Sequence, residues 1–286
     1  MMLEDYDIAE WVEQAGDSQR EFREAVHTIL AAIASDAQLR ANMVIKGGIL
    51  LAVRYHSHRY TKDIDFSTTQ SLREVDPDQI KEALNKSFIR IAEELEYALD
   101  CRVQSCRVQP ANKPDASFPS VRITVGYAHK GTKKHQRLLA NQSPTHVSID
   151  YSLNEIMPNL DVLEVGEGEL LRAYTLIDLI AEKLRSILQQ KIRNRTRRQD
   201  IFDLRLLIEK YPDLDETEKR GILKSFIEKA ESRDVKPVKN SLDDAETRER
   251  SQKDYLTLAD EIEGDLPDFD ETYEAVNKFY KTLPWK

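Results

Sequence analysis

The spacing of hydrophobic residues along this chain changes between two periods, and the change separates predicted helices from predicted strands. Recurrence at three and four residues predicts N-terminal helices over 5–15, 18–35, 49–55 and 77–99. Short alternating runs predict strands over 43–46, 63–67, 101–108, 121–127 and 146–152, and a weaker hairpin at 162–165 and 170–173. The remaining pattern is helical, over 175–193, 197–209, 216–229, 253–262 and 270–282.

This order of elements predicts a mixed α/β (α+β) fold, in which helices precede and interrupt a mixed sheet. It lacks the regular strand–helix alternation of a doubly wound sheet. We expect a core domain over 1–173 and a helical C-terminal domain over 174–286. Two polar segments break the pattern. The basic KGTKKHQR of 130–137 predicts a turn, and 231–252 predict a linker or mobile loop.

The densest group of chemically informative residues lies in 44–67, VIKGGILLAVRYHSHRYTKDIDFS, which predicts strand, glycine pair, helix, basic turn and strand. Residues two apart on a strand point the same way, so Asp63 and Asp65 share one face. Their carboxylates repel each other, and a bound Mg²⁺, which prefers oxygen ligands, would remove that repulsion. The backbone at Gly47 and Gly48 can approach a phosphate closely. The alternative is an acidic strand end that is simply solvated.

Asp150 is a third candidate carboxylate, in the strand pattern HVSIDYS. Alternation places it on the polar face of that strand. If this strand neighbours the one that carries Asp63 and Asp65, the three carboxylates could converge around one or two Mg²⁺, as nucleotidyl transfer requires. The alternative is a surface aspartate on a half-exposed strand.

Lys183 lies on the apolar stripe of a helix that Thr175 is expected to cap. A lysine that points inward is costly unless a negative group meets it, and a triphosphate or a metal-bound carboxylate would serve. The alternative is that the side chain lies along the stripe and its ammonium group reaches water.

Asp200 and Asp203 share one face of the next predicted helix, in RRQDIFDLRLL. Either carboxylate could pair with Lys183 or with Arg197 and Arg198. The arginine-rich turn before this helix could hold phosphates or an RNA backbone. The alternatives are surface salt bridges between neighbouring helical turns and a solvated helix junction.

Composition narrows the function classes. The chain has 286 residues, 33% of them charged, and a net charge of −9, which argues against a surface that binds nucleic acid everywhere. Basic islands at 54–62, 130–137 and 191–198 indicate local phosphate contacts instead. The sequence contains no GxxxxGK[ST], HExxH or GxSxG motif, which disfavours the nucleotide-binding and hydrolytic sites that those motifs build.

Several features predict a cytoplasmic protein. Cys101 and Cys106 lie five residues apart on a predicted strand and should face opposite sides, so a disulfide between them is not expected. No apolar run approaches the roughly 20 residues of a membrane helix. The acidic start lacks the basic and apolar regions of a signal peptide.

Together, four segments resemble the AbiEii-type nucleotidyltransferase toxins, the toxin half of type IV toxin–antitoxin systems. They are KGGILLAVRYHSHRYTKDIDFS, VSIDYS, YTLIDLIAEKLRSIL and RRQDIFDL, which span 46–204 in the order of the family. The resemblance implies a polymerase-β-type nucleotidyltransferase core with a mixed sheet, followed by a helical C-terminal domain.

The resemblance also implies roles for residues at matching positions. The implied metal ligands are Asp63 and Asp65, with Asp150 as a less direct match to the third acidic position. The implied nucleotide-binding positions are Gly47, Gly48, Arg59, Thr61 and Lys183, and the implied catalytic residues are Asp63, Asp65, Lys183 and Asp200. One position departs from the family pattern, because Gln199 directly precedes Asp200, where an arginine is common, and Arg198 is the alternative ion-pair partner. The glycine pair replaces the glycine-serine of the wider superfamily, although this family often has it.

By the same resemblance, the protein would use Mg²⁺ and transfer a nucleoside monophosphate from an NTP to RNA, at the acceptor end of tRNA. The transfer would block aminoacylation, translation and growth. A cognate antitoxin encoded nearby would be a partner. Two other functions remain open: nucleotide transfer to a protein hydroxyl, and a non-catalytic member that binds RNA or an antitoxin.

Overall fold

The strands of the chain form one seven-stranded mixed sheet. The computed structural model describes residues 7–111, 117–166 and 168–285. The strands are β1 Val44–Lys46, β2 Asp63–Ser67, β3 Leu99–Gln109, β4 Ser120–His129, β5 His146–Ser152, β6 Leu160–Gly166 and β7 Glu169–Tyr174. Their order across the sheet is β3-β4-β5-β2-β1-β7-β6, so strands distant in sequence become neighbours. This mixed sheet confirms the predicted fold class.

Twelve α-helices accompany the sheet in the described residues. In the first half they are α1 Ile8–Glu13, α2 Asp17–Ser35, α3 Ala37–Asn42, α4 Gly47–Tyr55, α5 Pro77–Glu94 and α6 Lys133–Leu139. In the second half they are α7 Leu176–Leu188, α8 Gln190–Arg193, α9 Arg198–Lys210, α10 Glu216–Glu231, α11 Ala245–Gln252 and α12 Phe269–Thr282. None of these helices is long and apolar enough to span a bilayer.

The chain forms two compact units. The first comprises Met1–Arg54, Thr61–Glu155 and Asp161–Ala173. The second comprises Tyr55–Tyr60, Ile156–Leu160 and Tyr174–Lys286. The short basic segment that joins α4 to β2 thus belongs to the second unit, although its sequence neighbours belong to the first.

The two sides of the central strands differ sharply in polarity. Alternation along β2 and β5 buries Ile64, Phe66, Ile149 and Tyr151, whose side chains are at most 2% exposed. The residues between them in sequence face the opposite side and are polar, as the period-two pattern predicts.

Three predictions about individual segments are wrong. Residues 130–137 contain the start of α6 rather than only a turn, because Thr132 caps a helix by accepting from the His135 amide. The segment 231–252 includes a 3₁₀ helix at Ser241–Asp243 and the helix α11. The helix predicted over 77–99 ends earlier, because α5 stops at Glu94 and β3 already begins at Leu99.

Cys101 and Cys106 do not face opposite sides of β3. Cys101 pairs with Tyr127 and Cys106 with Ile123, two core-facing residues of β4. The register shifts between Val103 and Ser105, and this β-bulge reverses the alternation between the two cysteines. Both thiols are nevertheless free.

Candidate active site

Asp65 and Asp150 lie side by side on the polar face of the sheet. Strands β2 and β5 are parallel neighbours, and the register pairs Asp65 with Asp150 and Asp63 with Ser148. Adjacent strands lie about 4.8 Å apart, so the two carboxylates emerge close together on the same face. Asp63 and Asp150 are exposed and Asp65 is partly exposed, so solvent or a ligand can reach this group of carboxylates.

These carboxylates fit a magnesium site that is completed by substrate. Among the residues that the structure describes, no group of three or more His, Cys, Asp or Glu side chains forms a ready-made metal cage. Mg²⁺ commonly binds one or two carboxylates and takes its other ligands from water and substrate phosphates. The hard oxygen donors of Asp65 and Asp150 on adjacent strands match that mode of binding.

Gly47 leaves room for the Asp65 side chain. Its φ angle is +72°, in the left-handed region that favours glycine. A Cβ at this position would lie 2.1 Å from Asp65 Oδ2 and 2.8 Å from Asp65 Cγ. The structure therefore gives this glycine a role beyond the predicted approach to phosphate: it lets the backbone at the start of α4 pass directly beside the carboxylate.

Lys46 is the positive neighbour of this group. It pairs with Asp65 across β1 and β2, and the residue is only 8% exposed. Its Nζ lies 3.5 Å from Ser152 Oγ and 3.9 Å from Glu155 Oε1. Sequence reasoning did not single out Lys46, whose signal is its position next to Gly47 at the end of a buried strand.

A second charged cluster lies wholly within the second unit and is centred on Asp203. The Arg59 guanidinium donates from Nε and Nη2 to the two oxygens of Asp203 at 2.8 and 2.9 Å. Lys183 Nζ donates to Asp203 Oδ2 at 2.6 Å and to Asp200 Oδ1 at 3.2 Å. The Asp203 side chain is fully buried, so its charge depends on these two cations.

The pKa values of the cluster follow from this geometry. Burial acts to raise the pKa of Asp203, but Arg59 and Lys183 outweigh it and lower the pKa to about 2. Burial acts to lower the pKa of Lys183, and the carboxylates of Asp203 and Asp200 reverse that shift and raise it. The pKa of Arg59 is raised for the same reason, despite its burial. All three groups are therefore charged at neutral pH.

Both carboxylate oxygens of Asp203 accept hydrogen bonds, whereas within the described residues only one oxygen of Asp200 does so. Its Oδ2 accepts no hydrogen bond from the part of the chain that the structure describes, and Arg197 Nε lies 3.9 Å away. Its side chain is 13% exposed. Arg198 instead pairs with Glu261, as does Gln199.

The structure thus groups the sequence-predicted residues into two sets. Asp63, Asp65 and Asp150 belong to the sheet, and Gly47 lies beside Asp65 at the start of α4. Thr61 lies just before β2 and donates to the Asp63 carbonyl at 3.3 Å. Arg59, Lys183 and Asp200 belong to the second cluster.

Sequence reasoning left Asp203 out of the candidate site and considered it only as a possible ion-pair partner. Its signal was present: it lies three residues after Asp200, on the same face of α9.

Two solved structures have folds that are similar to the fold of this chain. A candidate nucleotidyltransferase from H. pylori aligns with a TM-score of 0.50 and 15% identity, covering 94% of this chain and 96% of the other. JHP933 from Helicobacter pylori aligns with a TM-score of 0.52 and 15% identity, covering 94% of this chain and 93% of the other. At this identity the likeness concerns the fold alone. No curated protein gives a significant match.

The sequence itself matches a family over most of its length. The family model described as nucleotidyl transferase AbiEii toxin, type IV TA system, matches residues 28–275. That range includes both charged sets described above. The chain therefore belongs to the AbiEii nucleotidyl transferase toxin family of type IV toxin–antitoxin systems.

Proposed function

We propose that this nucleotidyltransferase moves a nucleoside monophosphate from an NTP to RNA, at the acceptor end of tRNA, with Mg²⁺ as cofactor. The observation that carries the proposal is the register of Asp65 with Asp150 on adjacent parallel strands, beside the close approach of Gly47. This arrangement offers carboxylate oxygens on adjacent strands to a metal ion.

In the proposed reaction, a terminal hydroxyl oxygen of the acceptor attacks the α-phosphorus of the NTP. A new phosphorus–oxygen bond forms while the bond from the α-phosphorus to the bridging oxygen breaks, and pyrophosphate leaves with that electron pair. We assign the hydroxyl proton to a carboxylate oxygen of Asp150, the more exposed partner of Asp65. Magnesium, when bound by Asp63, Asp65 and Asp150, would supply charge stabilisation to the phosphates.

The second cluster would serve the nucleotide in this proposal. An ammonium group has three donors, and Lys183 directs two of them to Asp200 and Asp203. A third donor suits a phosphate oxygen of the NTP. Arg59, held at Asp203 by two hydrogen bonds, would position Asp203 and through it Lys183, and Asp200 would add a further carboxylate.

The biological consequence would follow from the acceptor. A nucleotide added to the acceptor end of tRNA would prevent aminoacylation and so stop translation and growth in the cytoplasm. As a member of a type IV toxin family, the protein would be opposed by a cognate antitoxin encoded nearby.

A transfer assay tests the proposal directly. Purified protein with Mg²⁺ and each α-labelled NTP in turn is given total RNA and, separately, total protein. We expect label in RNA from the wild type and a loss of at least about 100-fold from Asp65→Asn, because metal-binding charge is removed without a change of shape. Asp213→Asn, an exposed aspartate between α9 and α10, is the matched control and should retain full activity.

The other outcomes distinguish the alternatives. Label in protein would favour transfer to a protein hydroxyl, with the same carboxylates. Absence of transfer by the wild type, together with retention of RNA on a column of the protein, would favour a non-catalytic binding member. Full activity of Asp65→Asn would remove Asp65 from the proposed mechanism.

A further inference from the structure

The row of residues that contains Asp65 and Asp150 continues across the sheet as two arginines. Asp150 pairs with Arg122 on β4, and Arg122 pairs with Arg107 on β3, the edge strand. Register partners on adjacent strands point to the same face. The polar face of the first unit therefore has, in one line, Asp65, Asp150, Arg122 and Arg107.

Arg122 and Arg107 lie directly opposite each other, and Arg122 also lies opposite Asp150 on its other side. Both are exposed, and within residues 7–111, 117–166 and 168–285 neither forms an ion pair. Arg122 donates only to Ser148 Oγ, at 3.4 Å. Like charges directly opposite on adjacent strands destabilise a sheet, and an anion shared between them would reverse that effect.

The neighbouring row of the same face is polar but almost uncharged. From Asp63 it runs through Ser148, Thr124 and Ser105. Hydroxyl groups of this kind donate to phosphate and sugar oxygens. Neither row has an aromatic side chain, so the face lacks the stacking platform on which proteins hold unpaired bases.

The far end of the face is closed. A Cβ at Gly126 would lie 2.6 Å from Ser143 Cβ and 2.9 Å from Leu138 Cδ1, so α6 and the loop after it cover the sheet there. The accessible part of the face therefore extends from the carboxylates toward Arg122 and Arg107 on the edge strand.

We propose that this face binds the sugar–phosphate backbone of the RNA acceptor, with Arg122 and Arg107 on its phosphates. The inference rests on the proposed function and adds where the acceptor lies. From the strand spacing, Arg122 is about 10 Å and Arg107 about 14 Å from Asp65 along the row. A strand held by both arginines would place its terminal hydroxyl at Asp150, and the face would recognise backbone rather than base sequence.

Binding measured without nucleotide or metal tests this inference separately from transfer. The probe is a short fluorescein-labelled single-stranded RNA, titrated at several salt concentrations. We expect Arg107→Gln/Arg122→Gln to weaken binding by about tenfold or more at low salt and to reduce the salt slope by about 1.4, the value for two lost phosphate contacts on a single strand. The matched control is Arg73→Gln/Arg220→Gln, which removes the same charge from two exposed arginines outside the row.

The transfer assay supplies a second readout. The KM for RNA should rise in Arg107→Gln/Arg122→Gln while the KM for the NTP stays unchanged. Equal loss of binding in both double variants would reduce the effect to net charge and overturn the inference, as would wild-type binding and an unchanged KM for RNA in Arg107→Gln/Arg122→Gln. Label found in protein rather than RNA would also overturn it. A wild type that binds RNA through these arginines but transfers nothing would count against the proposed function alone.

Discussion

At the scale of single residues, the space beside Asp65 depends on one missing methyl group. Gly47 combines a positive φ angle with direct contact to the Asp65 side chain, and each feature alone would favour glycine. The same backbone position begins α4, so a shift there would move both the helix and the carboxylate. The residue before it, Lys46, is buried and pairs with Asp65 across the strands.

Gly47→Ala should therefore damage both stability and activity. The left-handed conformation costs an alanine about 1–2 kcal/mol, and the overlap with Asp65 Oδ2 adds to that cost. Gly131→Ala is the matched control, because Gly131 has a φ of +80° and nothing within 4 Å of an added Cβ. We expect urea unfolding to show the larger loss for Gly47→Ala and transfer activity to fall only in that variant. Equal stability losses with full activity in both would contradict the proposed importance of this contact.

At the scale of elements, one buried carboxylate joins three pieces of the second unit. Asp203 on α9 binds Arg59 from the Tyr55–Tyr60 segment and Lys183 from α7. The same short segment makes further main-chain bonds, from the Tyr60 amide to the Glu261 carbonyl and from the Glu263 amide to the His58 carbonyl. The basic turn of the sequence is thus held in place by charge and by backbone pairing.

Asp203→Asn should destabilise the protein strongly at neutral pH. It leaves Arg59 and Lys183 buried without their full counter-charge, a change that typically costs about 3–5 kcal/mol. Asp200→Asn is the matched comparison on the same helix, because Asp200 is partly exposed and contributes one bond to Lys183. Chemical unfolding at pH 7 should show a much smaller loss for Asp200→Asn, whereas transfer activity should fall in both.

The pH dependence of stability provides an independent check on Asp203. Its pKa is lowered from 3.8 in the unfolded chain to about 2 in the folded state. The ionised carboxylate therefore stabilises the fold above pH 3.8, and this contribution is lost as the pH falls toward 2. Between pH 5 and pH 2.5, the free energy of unfolding should fall by about 1.5 kcal/mol less in Asp203→Asn than in the wild type. Parallel curves would show that the ionised state of Asp203 does not stabilise the fold.

The elements that the sequence failed to predict have short or interrupted patterns. The helix α6 has 7 residues, of which only Leu138 is buried, so it offers no periodic apolar stripe. The helix α11 buries Thr247 and Ser251 rather than apolar residues. In contrast, β2 and β5 begin and end at the predicted residues, because strict alternation between buried and polar positions defines them.

At the scale of the whole molecule, the proposed metal site should depend on substrate. Among the described residues no cage of three or more metal-binding side chains is preformed, and the carboxylates at the sheet would need phosphate oxygens to complete the shell. Mg²⁺ alone should then bind weakly, and binding of Mg²⁺ with an NTP should be cooperative.

Thermal unfolding measures this cooperativity. With millimolar Mg²⁺ alone we expect a Tm within about 1 °C of the value in EDTA, and with Mg²⁺ and the preferred NTP together a rise of several degrees. Asp65→Asn should lose most of that rise while it keeps the Tm of the metal-free wild type. A large shift with Mg²⁺ alone would instead indicate a metal site that the protein completes by itself.

The sequence by itself determined the local elements around the site and the residues that could do chemistry there. Period-two alternation was enough to place Asp63 and Asp65 on one strand face and Asp150 on the polar face of another. The family model matches residues 28–275, a range that includes these three aspartates. Side-chain periodicity, however, does not specify which strands become neighbours.

Only the tertiary structure decided the partners. Strands β2 and β5 begin 83 residues apart in the sequence, at Asp63 and His146, and the pairing of these strands puts Asp65 opposite Asp150. The pairing of β5 with β4 and of β4 with β3 extends that row to Arg122 and Arg107. Asp203 rather than Asp200 is the centre of the second cluster because its side chain is fully buried. A buried carboxylate is costly unless cations neutralise it. Long-range pairing and burial involve residues far apart in the chain, so no local pattern encodes them.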